Sequence, residues 1–100
     1  MSLRTFRLSA TVSCSNRSNL DGVRAPIERV LGAEARVERI DQGLRIEAGA
    51  VVGVDARELN RQLLSAMRAV EKAIRLQSEW TADGTTERYF DYVFVKNRRP

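Results

Sequence analysis

From Phe6 the apolar residues alternate strictly through Leu8, Ala10, Val12 and Cys14, with Arg7, Ser9, Thr11 and Ser13 between them. A period of two predicts a strand with one buried face and one wet face. Ser18 or Asn19 then caps a predicted helix whose inward residues are Leu20, Val23, Ile27, Val30 and Leu31, stopped by Gly32. Pro26 lies inside that pattern, so it either kinks the helix or marks the first turn of a shorter one beginning near Ala25. Residues 35–40 and 44–48 read as two strands joined by Asp41-Gln42-Gly43. Val37 and Ile40 fall on opposite faces, which a bulge near Arg39 reconciles.

After a flexible segment over residues 49–53, Asp55 and Glu58 form a capping-box-like pair. Leu59, Leu63, Ala66, Met67, Val70, Ala73 and Ile74 then recur at helical spacing, which predicts a helix running to about Leu76. The chain closes with Trp80, an Asp83-Gly84 hairpin signal and a strand over residues 89–95 that is apolar on both faces. Such a strand needs cover from both sides, by the chain's own helices and by a second subunit, which makes Tyr89, Tyr92, Val93, Phe94 and Val95 candidate dimer-interface residues.

The order β-α-β-β-α-β-β predicts an α+β fold, with two helices packed on one face of a mainly antiparallel sheet as a ferredoxin-like sandwich. At 100 residues the chain is one domain, residues 1–100. Folds of this type host enzymes, RNA binders and dimerisation modules, so function must come from the residues.

Composition narrows the chemistry. With no histidine and one cysteine, one chain cannot assemble a zinc site, a Ser-His-Asp triad or a Cys-His pair. Cys14 has no internal disulfide partner and lies in the apolar register, so it reads as a buried thiol and the chain as suited to a reducing compartment. The most apolar run, residues 48–54, is far short of the ~20 residues that span a bilayer, and Met1-Ser2-Leu3-Arg4 has no signal-peptide layout. The expectation is a cytoplasmic protein that does not engage a membrane.

Charge adds a direction. Seventeen cations against thirteen anions give +4, and all the cations but Lys72 and Lys96 are arginine, whose planar fork suits phosphate and carboxylate. High-GC coding or a hot habitat enriches arginine equally well. On a helix reaching Leu76, Arg57, Arg61, Arg68, Lys72 and Arg75 fall in a band roughly 60° wide with no acid among them. That band is either a solvated helix back or a contact surface for nucleic-acid phosphates or an acidic partner. Lys96, Arg98 and Arg99 form a second basic group, readable equally as a solubilising tail.

Other candidate chemistry is sparse. The polar face of the first strand, with Arg45, could meet phosphate, but stacking of bases is disfavoured because that face has no aromatic on the central strands. Residues 49–53 resemble a phosphate loop only superficially, since no Lys-Ser/Thr follows and Asp55 opens the helix. The carboxylates are scattered singly among arginines, and no pair is placed for acid–base work or for magnesium. The chain therefore reads as a non-enzyme with no metal and no cofactor.

Gly43-Leu44-Arg45-Ile46-Glu47-Ala48, followed by Asp55, Leu59 and Leu63-Leu64-Ser65-Ala66-Met67-Arg68-Ala69-Val70, resembles the small dimerising subunit of KEOPS, the archaeal and eukaryotic tRNA-modification complex. Ser65 and Arg68 match that family's Ser-x-x-Arg pair, and the resemblance covers roughly residues 5–76. Four features depart from it: the longer connection over residues 49–54, Ala69 where an aromatic often follows the arginine, Pro26 in a first helix that lacks the usual acidic opening, and the extra C-terminal hairpin. The resemblance implies a non-catalytic accessory subunit that pairs with a second copy, docks on a catalytic threonylcarbamoyl transferase subunit and helps hold tRNA. Two other readings stand beside it: a stand-alone nucleic-acid-binding domain contacting phosphates, and a small-molecule-binding regulatory homodimer.

Overall fold

The computed structural model describes residues 3–15, 20–41 and 43–95. Strands β1 (Arg4–Ser13), β2 (Arg36–Ile40), β3 (Gly43–Gly53), β4 (Arg75–Ala82), β5 (Thr85–Phe90) and β6 (Val93–Val95) form one sheet in the order β2-β3-β1-β4-β5-β6. Every neighbouring pair is antiparallel. Helices α1 (Arg24–Leu31) and α2 (Ala56–Arg68) pack on one face. The first four strands and the two helices have the ferredoxin-like arrangement, and β5 and β6 widen its sheet beyond β4.

Strand β1 owes its central position to its alternation. Phe6, Leu8, Ala10 and Val12 are buried under the helices, whereas Thr5, Arg7, Ser9 and Thr11 point to an open face. The core continues through Leu44 and Ile46 of β3 and Leu76 and Trp80 of β4, with Phe6 and Trp80 edge-to-face at 6.4 Å.

A single 3-10 turn, Asp21–Val23, leads into α1 and places Pro26 in its first helical turn, where a missing N–H costs no intrahelical bond. The helix is therefore the shorter of the two alternatives. It stops at Gly32, whose φ of +97° a side-chain-bearing residue rarely adopts. The predicted Ser18 or Asn19 cap lies outside the described residues. Helix α2 opens as its sequence predicts: Asp55 is extended, and its Oδ1 accepts the Glu58 backbone N–H at 2.7 Å.

Four expectations change. First, α2 ends at Arg68 rather than near Leu76. Leu76, Ser78, Trp80 and Ala82 alternate inward along β4, just after the buried Ile74, and the strand pairs with β1 and completes its second flank. Val70, which continued the helical period, is 43% exposed. Pairing the central strand and burying Trp80 outweigh one more helical turn with an exposed valine. Second, residues 49–53 are not a loop but the end of β3, paired with the start of β1. Third, the bulge lies there rather than near Arg39: Gly49 and Ala50 together oppose Arg7, while β2 pairs with β3 without interruption. Edge strand β2 leaves Val37 and Ile40 both half-buried, so its faces need no reconciling. Fourth, residues 89–95 are two strands, because Asp91 turns left-handed (φ +56°) and folds β6 back on β5. Among the described residues no helix is long and apolar enough to cross a membrane.

Candidate interaction surface

With α2 ending at Arg68, the predicted five-cation band does not exist as one helix face. Arg57, Arg61 and Arg68 are on α2, Lys72 is in the connection that follows, and Arg75 opens β4. Arg61 pairs with Glu58, and that contact holds the carboxyl below its ordinary range and the guanidinium above its own. Arg57 stands beside the Tyr89 hydroxyl. Lys72 is exposed. Lys96, Arg98 and Arg99 lie outside the described residues.

Arg68 and Arg75 converge on Asp91. The Arg68 Nη2 lies 3.2 Å from Asp91 Oδ1, and Arg75 Nη1 lies 3.2 Å from Oδ2. Asp91 also joins the backbone of β4, with its N–H donating to the Leu76 carbonyl at 2.7 Å and its Oδ1 accepting the Leu76 N–H at 2.9 Å. Arg68 further donates from Nε and Nη2 to the Ile74 carbonyl at 3.0 and 2.9 Å. Its guanidinium lies 5.5 Å from the centre of the Tyr92 ring, whose hydroxyl is 3.1 Å from Ser65 Oγ. Both residues of the Ser-x-x-Arg pair thus touch Tyr92, in the turn between β5 and β6.

Beneath this corner is a buried polar hub. Asn60 Oδ1 accepts from Ser78 Oγ at 2.6 Å and from Trp80 Nε1 at 3.2 Å, and its Nδ2 donates to the Asp91 carbonyl at 2.8 Å. No buried side-chain polar atom among the described residues lacks a partner. Because the hub is satisfied throughout, it fixes how α2, β4 and the Asp91 turn meet. Asn60, Ser78 and Asp91 escaped the sequence reading. The available signal was a lone amide on the apolar face of α2 and a serine in the inward register of β4.

That corner carries the edge strand β6. Val93, Phe94 and Val95 are 64%, 42% and 41% exposed, and Phe90 and Tyr92 beside them are 40% and 46% exposed. Val93 and Val95 share the open face with Phe90, whereas Phe94 lies on the helix side, edge-on to Tyr89 at 5.5 Å. Tyr89 itself is buried within the chain, so Tyr92, Val93, Phe94 and Val95 are the interface candidates that reach the surface. Burial, then the Glu87 carboxylate that accepts a hydrogen bond from its O–H at 2.8 Å, push the Tyr89 hydroxyl up to about 12 against the opposing pull of Arg57.

The opposite edge, β2, is charged. Arg36, Glu38 and Arg39 are exposed, Asp21 lies 3.6 Å from Arg39 and 3.7 Å from Arg24, and Arg24 caps the Val37 carbonyl at 3.1 Å. Between the edges, the open face carries Arg7, Arg36, Arg45, Arg75 and Arg88 against Glu38, Glu47 and Glu79. Arg88 pairs with Glu79 at 3.0 Å. A trough of about 450 Å³ crosses this face, lined by Ser9, Thr11, Gln77, Arg88 and Phe90. The described residues contain no group of three or more acidic or thiol side chains placed to hold a metal ion.

No family model matches the chain, and no curated protein or solved structure gives a significant match. The resemblance to the KEOPS subunit therefore rests on the quoted sequence motifs.

Proposed function

We propose that this chain is a non-catalytic accessory subunit that pairs with a second copy of itself, in the manner of the KEOPS tRNA-modification subunit it resembles. The observation that carries the reading is the uncharged strip of residues 92–95, in which all four side chains are at least 41% exposed. Exposed contiguous apolar groups of this kind cost solubility unless something covers them. Several of the carboxylates are occupied: Asp91 binds two arginines and the β4 backbone, Glu58 binds Arg61, and Glu79 binds Arg88. These groups hold the framework together, which supports a role in assembly rather than in proton transfer. The positions of Ser65 and Arg68 against Tyr92 link the motif of the resemblance to the same corner.

The catalytic partner in this reading is a threonylcarbamoyl transferase subunit, and the nucleic acid is tRNA. The test is light scattering at micromolar concentration, followed by titration with tRNA at two salt concentrations. A dimer that binds tRNA with an affinity falling steeply with salt supports the reading. A monomer, or a dimer indifferent to tRNA and to a transferase subunit, overturns it. A second reading, a stand-alone domain contacting phosphates, is favoured by the five arginines and three glutamates of the open face. It predicts salt-dependent binding of nucleic acid by a monomer.

A further inference from the structure

The two copies, we infer, join edge to edge: β6 pairs antiparallel with β6 of a second copy, centred on Phe94, so that the two six-stranded sheets become one. This inference rests on the dimer reading above and specifies its geometry. A two-fold axis through Phe94 sets Phe94 opposite its own counterpart on the helix side and Val93 opposite Val95 on the open side. Within residues 93–95 every cross-strand pair is then apolar with apolar.

Self-pairing at the other edge fails the same test. Antiparallel pairing of β2 about its middle residue would place Glu38 opposite Glu38, with further charges on either side. The arginines beside β6 are held by carboxylates of their own chain, Arg61 by Glu58 and both Arg68 and Arg75 by Asp91.

Magnitude sets the expected strength. Phe90, Tyr92 and Phe94 are 40%, 46% and 42% exposed. At about 200 Å² per aromatic side chain, the rings alone offer roughly 260 Å² per copy. The two valines and the neighbouring rim add to this, yet the total stays below the ~800 Å² that each partner buries in a standard stable interface. The pairing is therefore weak and concentration-dependent.

Cysteine cross-linking reads the register. Val93→Cys and Val95→Cys are prepared separately, mixed and oxidised gently, with the unsubstituted chain as control for Cys14. Both positions are exposed, and a thermal melt of each variant verifies folding. The expected result is a disulfide-linked pair that contains one copy of each variant, formed in the mixture and several-fold less in either variant alone. A dimer by light scattering that forms no such mixed link, or links equally in the single-variant samples, overturns the edge-to-edge geometry and leaves the dimer reading standing. A monomer overturns both.

Discussion

The two edges of the sheet are built on opposite plans. Strand β2 exposes Arg36, Glu38 and Arg39, ties Arg39 and Arg24 to Asp21, and has its Val37 carbonyl capped by Arg24. Charges along an edge and an occupied carbonyl are the usual protection against a second strand. Among the described residues strand β6 shows neither device: Val-Phe-Val stands at the rim with large fractions of all three side chains in water. In one small domain, one edge is closed to pairing and the other left open. That difference, rather than net charge, is what favours the β6 edge as the proposed interaction surface.

The largest way to break this comparison is through the hub that holds β6 in place. Asn60→Ala leaves Ser78, Trp80 and the Asp91 carbonyl without their shared partner, at a cost of about 3 kcal/mol. For a domain of this size that corresponds to a fall in Tm of roughly 12–20 °C by calorimetry. Hydrogen exchange on the same variant should show the β5 and β6 amides losing protection first, while β2 keeps its own.

Arginines of α2 sharpen the distinction between framework and surface. Arg68→Glu places a carboxylate against Asp91 and removes two bonds to the Ile74 carbonyl, so it should cost about 2 kcal/mol in a denaturant titration. Arg61→Glu alters only an exposed pair and should leave the denaturation midpoint nearly unchanged. Equal effects would mean that the Asp91 corner is not the framework described.

Exchanging the character of the edges gives smaller, opposite effects. Glu38→Val on β2 removes the central like-charge conflict, so a Glu38→Val, Phe94→Lys double variant should self-associate weakly through β2 in sedimentation runs, measurably more than Phe94→Lys alone. The mildest effect is alkaline. Tyr89 is held near 12 in the folded chain and ionises near 10 when unfolded. The unfolded state therefore releases its proton first, and stability present below pH 10 is lost as pH rises toward 12. Tyr89→Phe should flatten that decline in a pH series of thermal melts.

Much of the architecture was legible in the sequence because it is written in clean periods. The alternation from Phe6 to Val12, the Asp55 cap and the Asp83-Gly84 turn, whose φ values are +54° and +79°, all form as read. The reading failed where two periods overlap. Val70, Ala73 and Ile74 continue a helical spacing, yet Ile74 and Leu76 also begin a strand whose alternation Ser78 disguises with a polar atom. Only the contact between Ser78 and Asn60, 18 residues apart, makes that serine an inward residue. The basic band fell with the same error, since its coherence required α2 to continue past Arg68. The exposed strip was legible as apolar, but its division into β5 and β6 depends on the left-handed Asp91 and on bonds to Leu76, which no local pattern announces.

The proposed joining of two copies through the uncharged β6 edge has Phe94 at its centre. It is tested most directly by sedimentation equilibrium of the unsubstituted protein beside Phe94→Lys across the micromolar range. A monomer–dimer equilibrium is expected in the former and at least a tenfold weaker association in the latter, with both folded. A chain that is monomeric throughout, or a dimer indifferent to Phe94→Lys, would contradict it.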